Sequence, residues 1–226
     1  MHAAAQAELA PRTALLAGAS GLVGRALLDL LLADPGWSAV HALVRRPLTG
    51  GPQHAKLHTL TVDFAHLSRL PAVDDCFIAL GTTIKQAGSE AAFRAVDFDA
   101  VLATARAARR AGAQRLFLVS ALGADAHSRV FYNRVKGEVE TAVQSLGFAT
   151  VVVARPSLLL GDRAALGQPT RWAEGLSQTL LRPLSRLLPR AVRPVAAGAV
   201  AQALVQAAHE QHSGVHVLHS ADMQQA

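Results

Sequence analysis

A single cysteine, Cys76, stands in the 226-residue chain, which excludes an internal disulfide and fits a reducing compartment. It lies in an apolar stretch, where a buried, inert thiol is expected. No uncharged apolar run reaches about 18 residues, so no membrane-spanning helix is expected. The first ten residues contain Glu8 and no long apolar core. They read as a loose terminus rather than a signal peptide, and a cytoplasmic protein is the expectation. The ten histidines are scattered, and the pair His209 and His212 lacks a cysteine or carboxylate cluster around it, so no metal is expected. Acidic residues are in mild deficit, 16 against 22 basic, for a net charge of +6. The densest basic group, Arg106, Arg109 and Arg110 with Arg115, reads as the solvated end of a helix and not as a nucleic-acid patch. No repeat or low-complexity linker divides the chain. With 51% hydrophobic residues it has ample material for one core, and a single domain over 1–226 is expected.

What the sequence does have is a short apolar run, Leu15-Leu16-Ala17, ending in Gly18-Ala19-Ser20-Gly21-Leu22-Val23-Gly24. An amphipathic run from Arg25 to Ala33 follows at once. Strand, tight turn, then helix is the arrangement that aims a helix N-terminus at a phosphate. Gly18 leaves the strand where a Cβ would obstruct the turn. Gly21 lets backbone approach a pyrophosphate, and Gly24 lets the helix pack closely on the strand. The helix start offers unpaired N–H groups and roughly +0.5 of an elementary charge. Ser20 adds a hydroxyl. A glycine-rich turn without a ligand is the alternative, and the position between the first strand and a helix favours a dinucleotide site.

Further strands are expected at Ala39–Val44, Leu57–Val62, Cys76–Leu80, Arg115–Ser120, Ala149–Ala154 and Val215–His219. Helices are expected at Ala91–Ala111, His127–Leu146, Thr170–Leu188 (interrupted by Pro183) and Ala197–Glu210, with Gly161 to Gly167 as a loop. Strands alternating with helices make an α/β doubly wound parallel sheet. Residues 157–196 are read as a small substrate-side lobe. Ligands of such sheets bind at strand carboxyl ends. Gly18, Arg45, Asp63, Gly81, Ser120 and Arg155 all fall there.

Arg45 and Arg46 stand where NAD-selecting sites carry an acid, and can grip a 2′-phosphate instead, so NADP(H) is preferred over NAD(H). A solvated arginine pair is the alternative. Asp63, with Phe64 beside it, can accept from an adenine amino group or cap a helix over Phe64–Leu70. Gly81-Thr82-Thr83 lets backbone pass beneath a ribose and offers hydroxyls. Tyr132, the only tyrosine, and Lys136 are spaced i, i+4 on one helix face. Ser120 ends the preceding strand. An ammonium beside a phenol favours phenolate, so Tyr132 can serve as acid–base, Lys136 can hold the nicotinamide ribose, and Ser120 can bond a carbonyl or alcohol. A tyrosine packed under a lysine stem is the alternative. Asp97 falls inside the apolar arc of its helix and is expected to pair toward Lys136, through water, or with backbone, unless it reaches solvent at the helix edge. Ser120 lacks a G-x-S-x-G surround, which excludes a hydrolase elbow.

With these residues the chain resembles the short-chain dehydrogenase/reductase superfamily in its atypical branch, on the glycine motif, Ser120 and Tyr132-Asn133-Arg134-Val135-Lys136. Within that branch it is similar to the Tat-interacting-protein-type oxidoreductases and their bacterial relatives. That likeness rests on Arg45-Arg46-Pro47-Leu48-Thr49, Leu80-Gly81-Thr82-Thr83, the Lys85 to Gly88 segment, Val96-Asp97 and Gly123-Ala124-Asp125. It also rests on Val135-Lys136-Gly137-Glu138-Val139-Glu140 and Arg155-Pro156 with Asp162-Arg163. The resemblance implies an NAD(P)-binding Rossmann fold with Ser120, Tyr132 and Lys136 in the catalytic roles. The cofactor-binding set expected is Gly18, Ser20, Gly21, Leu22, Val23 and Gly24 in the first loop, then Arg45, Arg46, Asp63, Phe64, Leu80, Gly81 and Thr82. Lys136, Pro156 and Leu159 complete it.

The leading expectation is an NADP(H)-dependent oxidoreductase of a small carbonyl or alcohol, working as a monomer or homodimer. An NADP(H)-sensing interaction protein without turnover is the alternative. An epimerase or dehydratase that retains its cofactor is disfavoured by the small lobe, and a nucleic-acid module is the most distant reading.

Overall fold

In the computed structural model, residues 10–48, 52–67, 69–160, 189–210 and 212–224 are described. The expectations for Thr49, the Gly161 to Gly167 loop, Asp162-Arg163 and the helix Thr170–Leu188 lie outside them.

The apolar runs form the strands of one parallel sheet, whose inner strands are largely buried on both faces while the two edge strands, the third and the last in the chain, stay half-buried or exposed. The strands are β1 (Arg12–Ala17), β2 (Trp37–Val44), β3 (Leu57–Thr61), β4 (Asp75–Ile78), β5 (Arg115–Val119), β6 (Thr150–Arg155) and β9 (Gly214–His219). Their order is β3-β2-β1-β4-β5-β6-β9, parallel throughout. The order reverses between β1 and β4, which opens a crevice at their carboxyl ends. Two-residue strands β7 (Leu159–Leu160) and β8 (Val195–Ala196) pair in parallel beside this sheet. Ser157 Oγ donates to the Arg193 carbonyl at 2.5 Å and Ser220 Oγ to Ser157 Oγ at 2.9 Å, which ties that small ladder to the end of β9.

Alternate residues of each strand enter different cores. Leu16, Phe77, Phe117 and Val152 pack against α1 (Leu22–Ala33) and α6 (Ala197–His209). Leu15, Cys76, Ile78, Leu116 and Val153 pack against α4 (Val101–Arg110) and α5 (Phe131–Gln144). Cys76 is fully buried, and burial pushes its thiol pKa well up.

Three local expectations are corrected. The single helix expected over 91–111 is α3 (Glu90–Arg94), a π-helical turn (Ala95–Ala100) and then α4, with short α2 (Ile84–Ala87) before them. The widened turn lets two charges reach α5 at once. Arg94 Nη1 meets Glu138 Oε2 at 2.5 Å, and Asp97 meets Lys136. The helix expected from His127 starts at Phe131. Asp125 Oδ1 accepts the His127 N–H at 2.9 Å and Ser128 Oγ the Val130 N–H at 3.1 Å, which holds that stretch in turns. Among the described residues directly after Asp63 there is no helix, so the alternative of a cap for Phe64–Leu70 is not met. Asp63 Oδ1 accepts the Ala65 N–H at 2.9 Å and makes a turn instead.

Arg115 is not part of a solvated helix end. It opens β5 and clasps buried Asp75 through Nε and Nη2, both at 2.6 Å, while Trp37 Nε1 donates to Asp75 Oδ2 at 2.8 Å. Arg12 and Arg115 both donate to the Ala208 carbonyl, at 2.8 and 2.7 Å, closing the end of α6.

Candidate functional site

Two glycines of the first loop are demanded by packing, and the third tolerates a Cβ at ordinary contact distance. Gly18 has φ +95°, and a Cβ there would lie 2.5 Å from the Ala79 carbonyl oxygen on the far side of the crevice. A Cβ on Gly24 would lie 1.9 Å from the Gly18 oxygen, so α1 can approach β1 only through a glycine. At Gly21 the nearest atom to such a Cβ is the Gly18 oxygen, at 3.4 Å. Gly21 is the N-cap of α1 and no side chain among the described residues caps it. Ser20 is exposed at the loop tip, Leu22 is half-buried and Val23 is buried. Arg25, in the first turn of α1, has a buried Nε with no hydrogen-bond partner among the described residues. A backbone at Gly21 that carries no side chain, a helix start without a side-chain cap and an orphaned guanidinium nitrogen fit a diphosphate.

Beyond β2, Arg45 and Arg46 are exposed and neither forms an ion pair among the described residues. Asp63 is exposed after β3. Its Oδ2 meets His66 Nδ1 at 3.0 Å, and this bond and the Ala65 N–H hold its pKa below the ordinary carboxylate value. Both oxygens already have local partners. Phe64 is half-buried against the core under α4. After β4, Leu80 joins the same core, Gly81 is exposed, and the Thr82 N–H donates to Asp97 Oδ2 at 2.8 Å. Thr83 Oγ1 caps α2 by accepting the Gln86 N–H at 3.1 Å, so only Thr82 of the two threonines keeps its hydroxyl from that task.

The centre of the site is Lys136, which is 4% exposed. Its Nζ lies 2.7 Å from Asp97 Oδ1. Burial works against the ammonium, but Asp97 and then Tyr132 outweigh it, and the pKa is raised above the ordinary lysine value. A Cβ on Gly81 would lie 3.4 Å from Asp97 Oδ1 and 3.8 Å from Lys136 Nζ. The loop after β4, the π-helical turn and α5 therefore converge on one ion pair, in direct contact rather than through water. Tyr132, one turn earlier on α5, is half-buried with its ring 5.4 Å from that of Phe93.

Ser120 follows β5, and its N–H donates to the Ala154 carbonyl at 2.8 Å. Its hydroxyl donates to Glu140 Oε1. Glu140 is 2% exposed, and its carboxylate also receives Arg155 Nε at 3.1 Å and Nη2 at 2.5 Å. The bond to Glu140 raises the Arg155 pKa. Pro156 is buried and its carbonyl accepts the Leu122 N–H at 2.8 Å, whereas Leu159 is half-buried in β7. Glu140 and Arg25 were not expected here. Glu140 was legible, since it continues the i, i+4 series from Tyr132 and Lys136. Arg25 had no signal in its spacing.

Among the described residues no three His, Cys, Asp or Glu side chains are placed to share a metal ion, and no helix is long and apolar enough to cross a membrane. A surface depression of about 480 Å³ lined by Leu67, Leu70, Ala107 and Arg110 lies at the opposite end of the strands and holds no candidate residue.

Residues 18–161 match a family model described as NAD(P)H-binding. The chain is 37% identical over 181 residues to Protein fmp52, mitochondrial, of Emericella nidulans, covering 76% of each chain. It is 34% identical over 200 residues to Protein HTATIP2 of Rattus norvegicus, covering 81% of this chain and 82% of that one. Among solved structures it resembles the oxidoreductase ylbE from Lactococcus lactis, with a TM-score of 0.63 and 15% identity over 94% of this chain and 95% of the other. That likeness speaks to the fold. The word mitochondrial also stands in the names of five further fungal relatives, and it overturns the cytoplasmic expectation. A lone cysteine and an unremarkable amino terminus do not distinguish one reducing compartment from another.

Proposed function

The chain belongs to the NAD(P)H-binding family, in the atypical branch of the short-chain dehydrogenases/reductases, and from that premise we propose that it is an NADP(H)-dependent oxidoreductase acting on a small carbonyl or alcohol. The observation that carries this reading is the buried Lys136 ammonium paired with Asp97, one helical turn from Tyr132 and beside Gly81 at the crevice where the sheet order reverses.

A nicotinamide cofactor held there would supply the hydride for the carbonyl carbon, or accept it in the reverse direction. Tyr132 gives its phenolic proton to the carbonyl oxygen as that oxygen becomes an alcohol, and takes it back in oxidation. Lys136 stabilises the phenolate left behind, and Asp97 keeps the lysine charged in a buried position. Gly18, Gly21 and Gly24 with the first turn of α1 would hold the diphosphate of a bound dinucleotide, and Leu80 to Thr82, Pro156 and Leu159 would line its nicotinamide half. Arg45 and Arg46 take the 2′-phosphate by charge-assisted bonds. We read the chain as a single domain over 1–226, with 157–196 as its substrate side.

Calorimetric titration with NADPH and NADH, followed by a panel of an aromatic aldehyde, an aliphatic ketone and an ortho-quinone under saturating NADPH, tests the reading. It expects tighter NADPH binding and turnover abolished by Tyr132→Phe and by Lys136→Met. Tight NADPH binding with no turnover on any carbonyl would replace it by the sensing role.

A further inference from the structure

Glu140 has no place in the roles just described, yet it is among the few carboxylates in the described residues that are buried, and it is joined to Ser120. A serine hydroxyl has one proton to give and two lone pairs. Here the proton is directed at a carboxylate that Arg155 also clasps through two of its nitrogens. A charged acceptor outcompetes a neutral carbonyl for the same proton. The lone pairs of Ser120 are what remains for a ligand.

We propose that Glu140, held by Arg155, is a positioning residue that fixes Ser120 as a hydrogen-bond acceptor in the site. This deepens the oxidoreductase reading and rests on it for the reaction served. With Ser120 unable to donate, Tyr132 is left as the one proton source for a substrate carbonyl. Ser120 instead accepts from the Tyr132 hydroxyl before transfer, or from the product alcohol after it. The placement follows from the helix: Glu140 is one turn beyond Lys136 and two beyond Tyr132, so one face of α5 carries the acid–base, its cation and the group that orients the serine. Arg155, at the end of β6 next to β5, reaches the same carboxylate from the sheet.

The test uses the full chain with NADPH and the variants Ser120→Ala, Glu140→Gln and the double variant. Proton NMR is expected to show a downfield, slowly exchanging hydroxyl signal in the wild type that is lost in Ser120→Ala and in Glu140→Gln. With the ortho-quinone as probe, each single variant is expected to lower kcat by about 10- to 100-fold with KM little changed. The double variant is expected to be no slower than Ser120→Ala, because Glu140 acts through the serine. A hydroxyl signal that survives Glu140→Gln, or losses that multiply in the double variant, would overturn the proposal. Should Glu140→Gln fail to fold, Glu140→Asp keeps the charge near Arg155 while drawing it away from Ser120, and the same two outcomes decide. A wild type that turns over no carbonyl refutes the oxidoreductase reading alone, and the hydroxyl signal then decides the Ser120–Glu140 contact.

Discussion

Lys136 keeps its charge where water hardly reaches, chiefly through its contact with Asp97 and then through Tyr132. Removing one partner of a buried pair leaves the other uncompensated. Lys136→Met should therefore cost about 3–5 kcal/mol of stability as well as turnover, read from chemical denaturation. The sign of its pH dependence is set by the raised lysine pKa. The folded state holds this proton more tightly than the unfolded chain. Its contribution is fully present below the unfolded lysine value of about 10.4 and is lost as pH rises through the folded one. The stability gap between wild type and Lys136→Met should narrow when melting is followed upward from about pH 10. A gap that stays constant to the highest pH would mean that Lys136 is not held by its charge. At the other end of the cofactor, Arg45→Ala should weaken NADPH by about tenfold or more and leave NADH nearly unchanged, measured by calorimetry. Equal weakening would remove the case for 2′-phosphate recognition.

At the scale of an element, the turn from β1 into α1 separates two demands that glycine meets in different ways. Gly24→Ala collides with the Gly18 carbonyl, and should lower stability by about 1–3 kcal/mol with loss of cofactor. Gly21→Ala meets only ordinary contact at 3.4 Å and adopts an allowed φ of −81°. It should leave the melting temperature almost unchanged while cutting NADPH affinity by about tenfold, because the methyl fills the diphosphate position. Joint loss of stability and affinity in Gly21→Ala would say that this glycine too is structural. The same element shows what a sequence discloses: strand, turn and helix were legible because each has its own period and its own glycine. The π-helical turn over 95–100 was not. Its apolar spacing reads as a plain helix, and the widening is set by Arg94 and Asp97 reaching partners on α5 some 40 residues away. Asp97 itself was legible, as a carboxylate stranded on an apolar arc. The helix over Phe64–Leu70 failed for a local reason, since the Asp63 side chain closes a turn on Ala65 before any helix begins.

Across the whole molecule, the two ends of the sheet divide the work. The carboxyl ends carry the candidate site, and the amino ends carry Asp75 under Arg12, Arg115 and Trp37. The latter cluster escaped the sequence because Arg115 sits next in line to Arg109 and Arg110 and shares their charge, while only the sheet order brings β1, β4 and β5 side by side. Asp75→Ala strands two partly buried guanidiniums and should cost about 3–5 kcal/mol. NADPH affinity of the folded fraction should be unchanged, since no site residue is touched. A loss of affinity without loss of stability would contradict this division. The overall fold was more legible than the site, because alternation of apolar and amphipathic runs survives any detail of packing. A site depends on contacts between residues far apart in sequence, such as Ser120 with Glu140 and Arg155.

The central claim is that Tyr132 delivers the proton while NADPH delivers the hydride. The most direct measurement is a single turnover of bound NADPH with the carbonyl panel, followed by loss of nicotinamide absorbance in wild type and in Tyr132→Phe at matched cofactor occupancy. The account predicts oxidation in the wild type and a rate lower by about 100-fold or more in Tyr132→Phe. Equal rates in the two proteins would contradict it.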